Sequence, residues 1–136
     1  MTKAEFYLAQ QALGLSDSQI AHCLNVSKDT IKSWKKERGN PIPDGIEAEL
    51  EALTVQIAMI AEAIAMDLNE QYENDPRHHP RVFIYRENDW HQAEREEALG
   101  HSLPFAALHQ LAVRWAMEQC EDTEPAVFWW HTWSEA

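Results

Sequence analysis

Apolar positions in the first forty residues recur at helical intervals, with interruptions that divide them into three short runs. Phe6, Ala9 and Leu13 fall three and four apart, with Leu8 and Ala12 alongside, which predicts a helix over residues 2–13. Thr2 and Glu5 stand at capping-box spacing at its start, and Gly14 follows where a left-handed C-cap is needed. Ser16 and Gln19 repeat the capping-box spacing and open a second helix that runs through Leu24. After a break at Asn25-Val26-Ser27, a third helix is expected from residue 28 to about residue 37, closed by Arg38-Gly39-Asn40. Pro41-Ile42-Pro43 reads as an extended connector, because each proline disfavours helix in the residue before it.

Asp44, with Glu47 three residues on, caps the next helix. Within it Ile46, Leu50, Leu53, Ile57, Ile60 and Ile64 alternate steps of four and three, a heptad-like seam that suits packing within the chain or across a dimer. Thr54 is a point at which this helix can divide in two. Residues 72–80 form a polar, proline-bounded loop, and residues 81–85 have the β-branched and aromatic content of a strand. The charged stretch 87–99 reads as a helix ending at Gly100. Ser102-Leu103-Pro104 starts another, with proline near its first turn, carrying Phe105, Leu108, Leu111, Ala112, Trp115 and Ala116. Residues 126–133, with Phe128, Trp129, Trp130 and Trp133, read as a second strand. Two isolated strands must pair with each other or across a dimer to satisfy their backbone groups.

Composition changes this picture little until charge is mapped. Apolar residues make up 45% of the 136, as expected of a globular protein. No apolar run approaches the ~20 residues that span a bilayer. Met1-Thr2-Lys3-Ala4-Glu5 lacks the layout of a signal peptide, so a cytoplasmic protein without membrane contact is expected. Cys23 and Cys120 are far apart, and reduced, partly buried thiols follow. The formal net charge is −12, yet it is unevenly spread. Residues 1–45 hold six bases (Lys3, Lys28, Lys32, Lys35, Lys36, Arg38) against five acids (Glu5, Asp17, Asp29, Glu37, Asp44). The other 91 residues hold the remaining five bases and eighteen acids. A small cationic patch on an acidic body suits a protein that meets phosphate at one surface.

That patch coincides with a recognisable local geometry. Two helices joined by a tight turn need a small residue at their closest approach, which Ala21 supplies, and a turn residue tolerant of positive φ, which Asn25 supplies. Ile20, Leu24, Val26, Ile31 and Trp34 would lock the two helices over a small core, closed by Leu8, Leu13 and Leu15 of the first helical region. Trp34 is then a packing residue. The third helix turns Ser27, Lys28, Asp29, Lys32, Ser33, Lys35 and Lys36 outward. A helix of this kind fits the B-DNA major groove, ~12 Å wide. Ser27, Lys28, Asp29, Lys32 and Ser33 lie where base edges would be met; lysine donates to guanine and aspartate accepts from cytosine. Lys35, Lys36 and Arg38 are placed for phosphates, which set register without reading sequence.

The segment resembles the Cro/C1-type (XRE) helix-turn-helix family in Leu13-Gly14-Leu15-Ser16, Ile20-Ala21, Leu24-Asn25-Val26-Ser27 and Thr30-Ile31-Lys32-Ser33-Trp34, a likeness covering residues 2 to about 53. It implies a compact bundle of four or five helices whose third helix enters the major groove. Asp17 stands where that family often has a phosphate-gripping glutamine, and Asn25 replaces the usual turn glycine. The remainder is similar to the YdiL-like proteins and related anti-CRISPR-associated repressors. The likeness lies in Pro43-Asp44, Val82-Phe83-Ile84-Tyr85-Arg86, Leu103-Pro104 and Val127-Phe128-Trp129-Trp130. That likeness implies a homodimer formed through the C-terminal part and repression at an inverted repeat; some such repressors also bind RNA.

Other constellations carry less. His78 and His79 with His91, His101 or His109 lack metal-ligand spacing, so no metal or other cofactor is expected. Glu94, Glu96 and Glu97 read as a wet helix face, and no phosphate loop or nucleophile elbow is present, so no enzyme is expected. Trp129, Trp130, Trp133 and Phe128 suit burial against the helix from Phe105 to Trp115 and a partner subunit better than base stacking. The expected fold is mainly α. A lambda-repressor-like helix-turn-helix bundle at residues 1–53 binds DNA, and a small α+β part with two short strands at residues 54–136 forms the dimer. The expected function is sequence-specific binding of double-stranded DNA as a homodimeric transcriptional repressor. The alternative is an antitoxin or phage-type adaptor whose C-terminal part holds a protein partner.

Overall fold

Local capping fixes the first three helices. In α1 (Lys3–Leu13) the Thr2 hydroxyl accepts from the Glu5 amide and the Glu5 carboxylate accepts from the Thr2 amide, both at 3.1 Å. Gly14 ends the helix at φ 68°. In α2 (Asp17–Leu24) Ser16 and Gln19 form the same reciprocal pair, and Asn25 takes the left-handed C-cap at φ 56°, ψ 44°. Ser27 caps α3 (Lys28–Lys35), and its hydroxyl accepts from the Thr30 amide at 3.1 Å. The chain extends at Lys36, a little before the expected end near residue 37. From Ile46 to Asn74 one unbroken helix, α4, follows. Thr54 does not divide it: its hydroxyl donates to the Leu50 carbonyl at 2.9 Å, so the side chain bonds back within its own helix.

The computed structural model describes residues 1–95 and 103–130, which are mainly helical with two short strands. The chain divides into two compact units, Met1–Val55 and Gln56–Ala136. In the first, Phe6, Ile20 and Ile31 are wholly buried, and Leu13, Leu15, Ala21, Leu24 and Trp34 nearly so. Leu8 corrects the sequence expectation, since it is 65% exposed. The inward stripe of α1 is Phe6, Gln10 and Leu13, at steps of four and three, and Leu8 points elsewhere on the helix. Gln10 tolerates burial because its side-chain amide donates to the Leu15 carbonyl at 3.1 Å and to the Asp17 carboxylate at 2.8 Å. Ile46 and Leu50, the start of the heptad-like seam, are buried.

In the second unit the seam continues with Ile57 buried and Ile60 and Ile64 half-buried. Ile57, Ala61, Ala65 and Leu68 make the fully covered face of α4. The two strands, β1 (Arg81–Ile84) and β2 (Ala126–Trp129), pair with each other in parallel, Arg81 opposite Ala126 and Ile84 opposite Trp129. A parallel pair needs a long crossover. Here the crossover carries α5 (Glu87–Arg95), α6 (Ala106–Gln119) and a 3-10 turn at Glu121–Thr123. Trp90 is fully buried, donating its indole N–H to the Leu103 carbonyl at 3.1 Å. α6 begins at Ala106, so Pro104 precedes the helix and does not lie in its first turn. The N-cap residue Phe105 offers no side-chain cap; Glu87 supplies one from α5, its carboxylate accepting from the Ala106 and Ala107 amides at 3.2 and 3.0 Å. Trp129 is 38% exposed beneath the Arg86 guanidinium, 4.1 Å from its ring centre, and Trp130 lies against Tyr85. Glu96, Glu97, Gly100, His101, Ser102 and Trp133 lie outside the described residues.

Candidate nucleic-acid interface

α3 has two chemically opposed sides because its apolar residues are few and correctly spaced. Ile31 and Trp34 turn inward, 0% and 3% exposed, and the Trp34 ring meets Phe6 edge-to-face at 5.6 Å. Ala21 is buried at the turn side of α2, and its carbonyl accepts from the Val26 amide at 3.0 Å. With Ile31 and Trp34 anchored, Lys28, Asp29 and Lys32 are exposed on the helix, and Lys36 and Arg38 are exposed just beyond it. These five residues combine four cations with one carboxylate.

The other three expected contact residues have partners within the chain. Ser27 is exposed, but its hydroxyl caps α3 and bonds the Thr30 hydroxyl at 2.8 Å. Ser33 is half-buried, and its hydroxyl accepts from the Asn40 amide at 3.0 Å. Lys35 is half-buried, with its ammonium on the Asp17 carboxylate at 2.5 Å. That ammonium, then the Gln10 amide, then the charges of Lys35 and Lys32 hold the Asp17 carboxyl below the usual aspartate value.

Sequence reasoning missed the group that finishes α3. The Lys3 ammonium, brought in by α1, donates to the carbonyls of Trp34 at 2.9 Å, Asn40 at 2.5 Å and Ser33 at 3.4 Å. A cation belongs at a helix C-terminus, where carbonyls lack partners. No local pattern announces it, because the partners are 30 to 37 residues apart. Gly39 completes the turn. A Cβ there would collide with the Ser33 carbonyl, which also accepts from the Lys36 amide at 3.2 Å.

Among the described residues no group of three or more His, Cys, Asp or Glu is placed to hold a metal ion. Cys23 is half-buried and Cys120 buried, and burial raises both thiol pKa values, which keeps them protonated at neutral pH. His109 packs as a core ring, 5.3 Å from Tyr85 and 5.2 Å from Trp90. Among the described residues no helix is long and apolar enough to cross a membrane. No protein-family model and no curated protein matches the chain.

Proposed function

We propose that α2, the Asn25 turn and α3 form a helix-turn-helix, and that the protein binds duplex DNA sequence-specifically as a homodimeric transcriptional repressor. The observation that carries this reading is the division of α3. Ile31 and Trp34 fix it to its own core, while Lys28, Asp29 and Lys32 stay accessible on a helix narrow enough for the major groove and Lys36 just beyond its end. In this reading Lys28, Asp29 and Lys32 meet base edges, and Lys36 and Arg38 meet phosphates. Ser27 and Ser33 serve mainly to shape the ends of α3, and Lys35 is only partly available.

One such helix makes too few base contacts for strong discrimination. Two, set ~34 Å apart on a twofold, read an inverted repeat. The second unit has surface for such a partner: Met59 and Met66 on α4 are 66% and 67% exposed, and Val127 and Trp129 on β2 are 40% and 38% exposed. Those exposed apolar side chains also suit a second reading, an adaptor that holds a different protein.

Selection of duplexes from a random pool, followed by anisotropy titration of the winner at several salt concentrations, tests the proposal. Lys32→Ala lowers affinity for the selected duplex and relaxes discrimination. Lys36→Ala weakens selected and scrambled duplexes alike and reduces the salt slope by about 0.9 per lost phosphate contact. If neither substitution alters binding, the assigned face is wrong.

A further inference from the structure

Asp17 is an acid of the first unit held by two bonds, one to a cation of α3 and one to a buried amide of α1. It opens α2, and its carboxylate takes the Lys35 ammonium at 2.5 Å while accepting from the Gln10 side-chain amide at 2.8 Å. Gln10 is 5% exposed and also bonds the Leu15 carbonyl, so the carboxylate is held from the core side. Both partners of the ion pair retain some access to water, with side chains 25% and 21% exposed. Lys35 lies seven residues after Lys28 and three after Lys32, on the side of α3 that carries the free cations.

We infer that Asp17 is a built-in competitor for the DNA phosphate that Lys35 would otherwise bind, and that it holds down the affinity of the α3 face. This rests on the DNA-binding reading above. A phosphate oxygen and the Asp17 carboxylate compete for one ammonium, and the fixed negative charge also opposes the approach of the backbone to Lys32 and Lys36. Asp17 therefore acts on binding through Lys35 as a positioning residue. A purely structural tie between α2 and α3 makes the opposite forecast, because loosening it would weaken DNA binding together with stability.

The test is an anisotropy titration of the full chain, with a selected duplex and a scrambled one, from 0.1 M to 1 M salt. Wild type is compared with Asp17→Asn, Asp17→Ser, Lys35→Ala and the Asp17→Asn/Lys35→Ala double variant. Asn keeps an acceptor for Gln10, and the serine variant serves if the asparagine chain fails to fold, folding being checked by circular dichroism. One released phosphate contact steepens the logarithmic salt slope by about 0.9 per subunit, or about eightfold in affinity at 0.1 M relative to 1 M. The expected result is that increase for Asp17→Asn on both duplexes, a loss of a few-fold for Lys35→Ala, which leaves the Asp17 carboxylate unpaired, and a salt slope for the double variant about 0.9 per subunit shallower than for Asp17→Asn. A folded Asp17 variant that binds no tighter than a wild type that does bind DNA overturns the competitor role and leaves the DNA-binding reading intact. Absence of binding by wild type and every variant overturns both.

Discussion

Replacing Lys3 by methionine keeps most of the aliphatic stem and removes the ammonium that closes α3. The bond to the Trp34 carbonyl, at 2.9 Å in a half-buried setting, is charge-assisted and contributes about 1 kcal/mol net. The favourable placement of a cation at a helix C-terminus adds about 0.5 kcal/mol. The Asn40 carbonyl is exposed and regains water, and the 3.4 Å approach to Ser33 is at the limit of a bond, so both add little. The sum is about 1.5 kcal/mol, and with a urea m-value of about 1 kcal/mol/M for a unit of this size the midpoint falls by about 1.5 M. Trp34 is the only one of the six tryptophans in the Met1–Val55 unit, so its indole N–H resonance reports that unit alone during a urea titration. Lys3→Arg, with a cation of similar reach, recovers part of the loss. Hydrogen exchange sharpens the forecast: the Lys36, Gly39 and Asn40 amides, all bonded within the turn after α3, exchange faster in the methionine variant. A midpoint within about 0.2 M of wild type, with unchanged exchange at those amides, refutes the reasoning.

Gly39→Ala forces a methyl group against the Ser33 carbonyl; since backbone must give way, a loss of about 2 kcal/mol or more is expected in the same titration. Glu87→Ala leaves the first amides of α6 without their carboxylate and lowers the thermal midpoint of the second unit, with a cost of about 1 kcal/mol, measurable by calorimetry. Acidification gives a third outcome. The folded-state pKa of Asp17 is depressed, so its contribution to stability is present above the ordinary aspartate value and disappears as pH falls from there through the folded value. Urea midpoints measured down that range fall less steeply for Asp17→Asn than for wild type; parallel slopes contradict the assignment.

The parts of the fold that the sequence announces are those decided within four residues. Thr2 with Glu5 and Ser16 with Gln19 are capping boxes in the helices where their spacing places them, and Gly14 and Asn25 have the positive φ that their chemistry suggests. Both strands are visible in their β-branched and aromatic content and pair with each other, but β1 stops at Ile84 rather than residue 85, and β2 stops at Trp129, with Trp130 already helical, rather than running to residue 133. Parallel sense and register are not visible, because they depend on where α5 and α6 lay the chain down. Leu8 misleads since it is apolar at the wrong angle, while Gln10 is buried because acceptors five and seven residues on take its amide protons, its Oε1 being left without a partner among the described residues. Pro104 marks a helix start two residues early, since the cap comes from Glu87 rather than from the local chain. At the candidate interface, Ile31 and Trp34 identify the inward side of α3 and so its accessible cations. The ties of Lys3 to three carbonyls and of Lys35 to Asp17 span 18 to 37 residues and leave no local trace.

The pairing of β1 with β2 also has a consequence for biosynthesis. Arg81 and Ala126 lie 45 positions apart, so the sheet closes only after both intervening helices have been made and have left the ribosome. The tethers of the first three helices reach no farther than Lys3 to Asn40. Short loops close sooner than long ones, so the amino-terminal unit should acquire protease resistance on the ribosome while the sheet-bearing unit is still open. Arrested nascent chains of graded length, treated briefly with protease, would display this order of maturation.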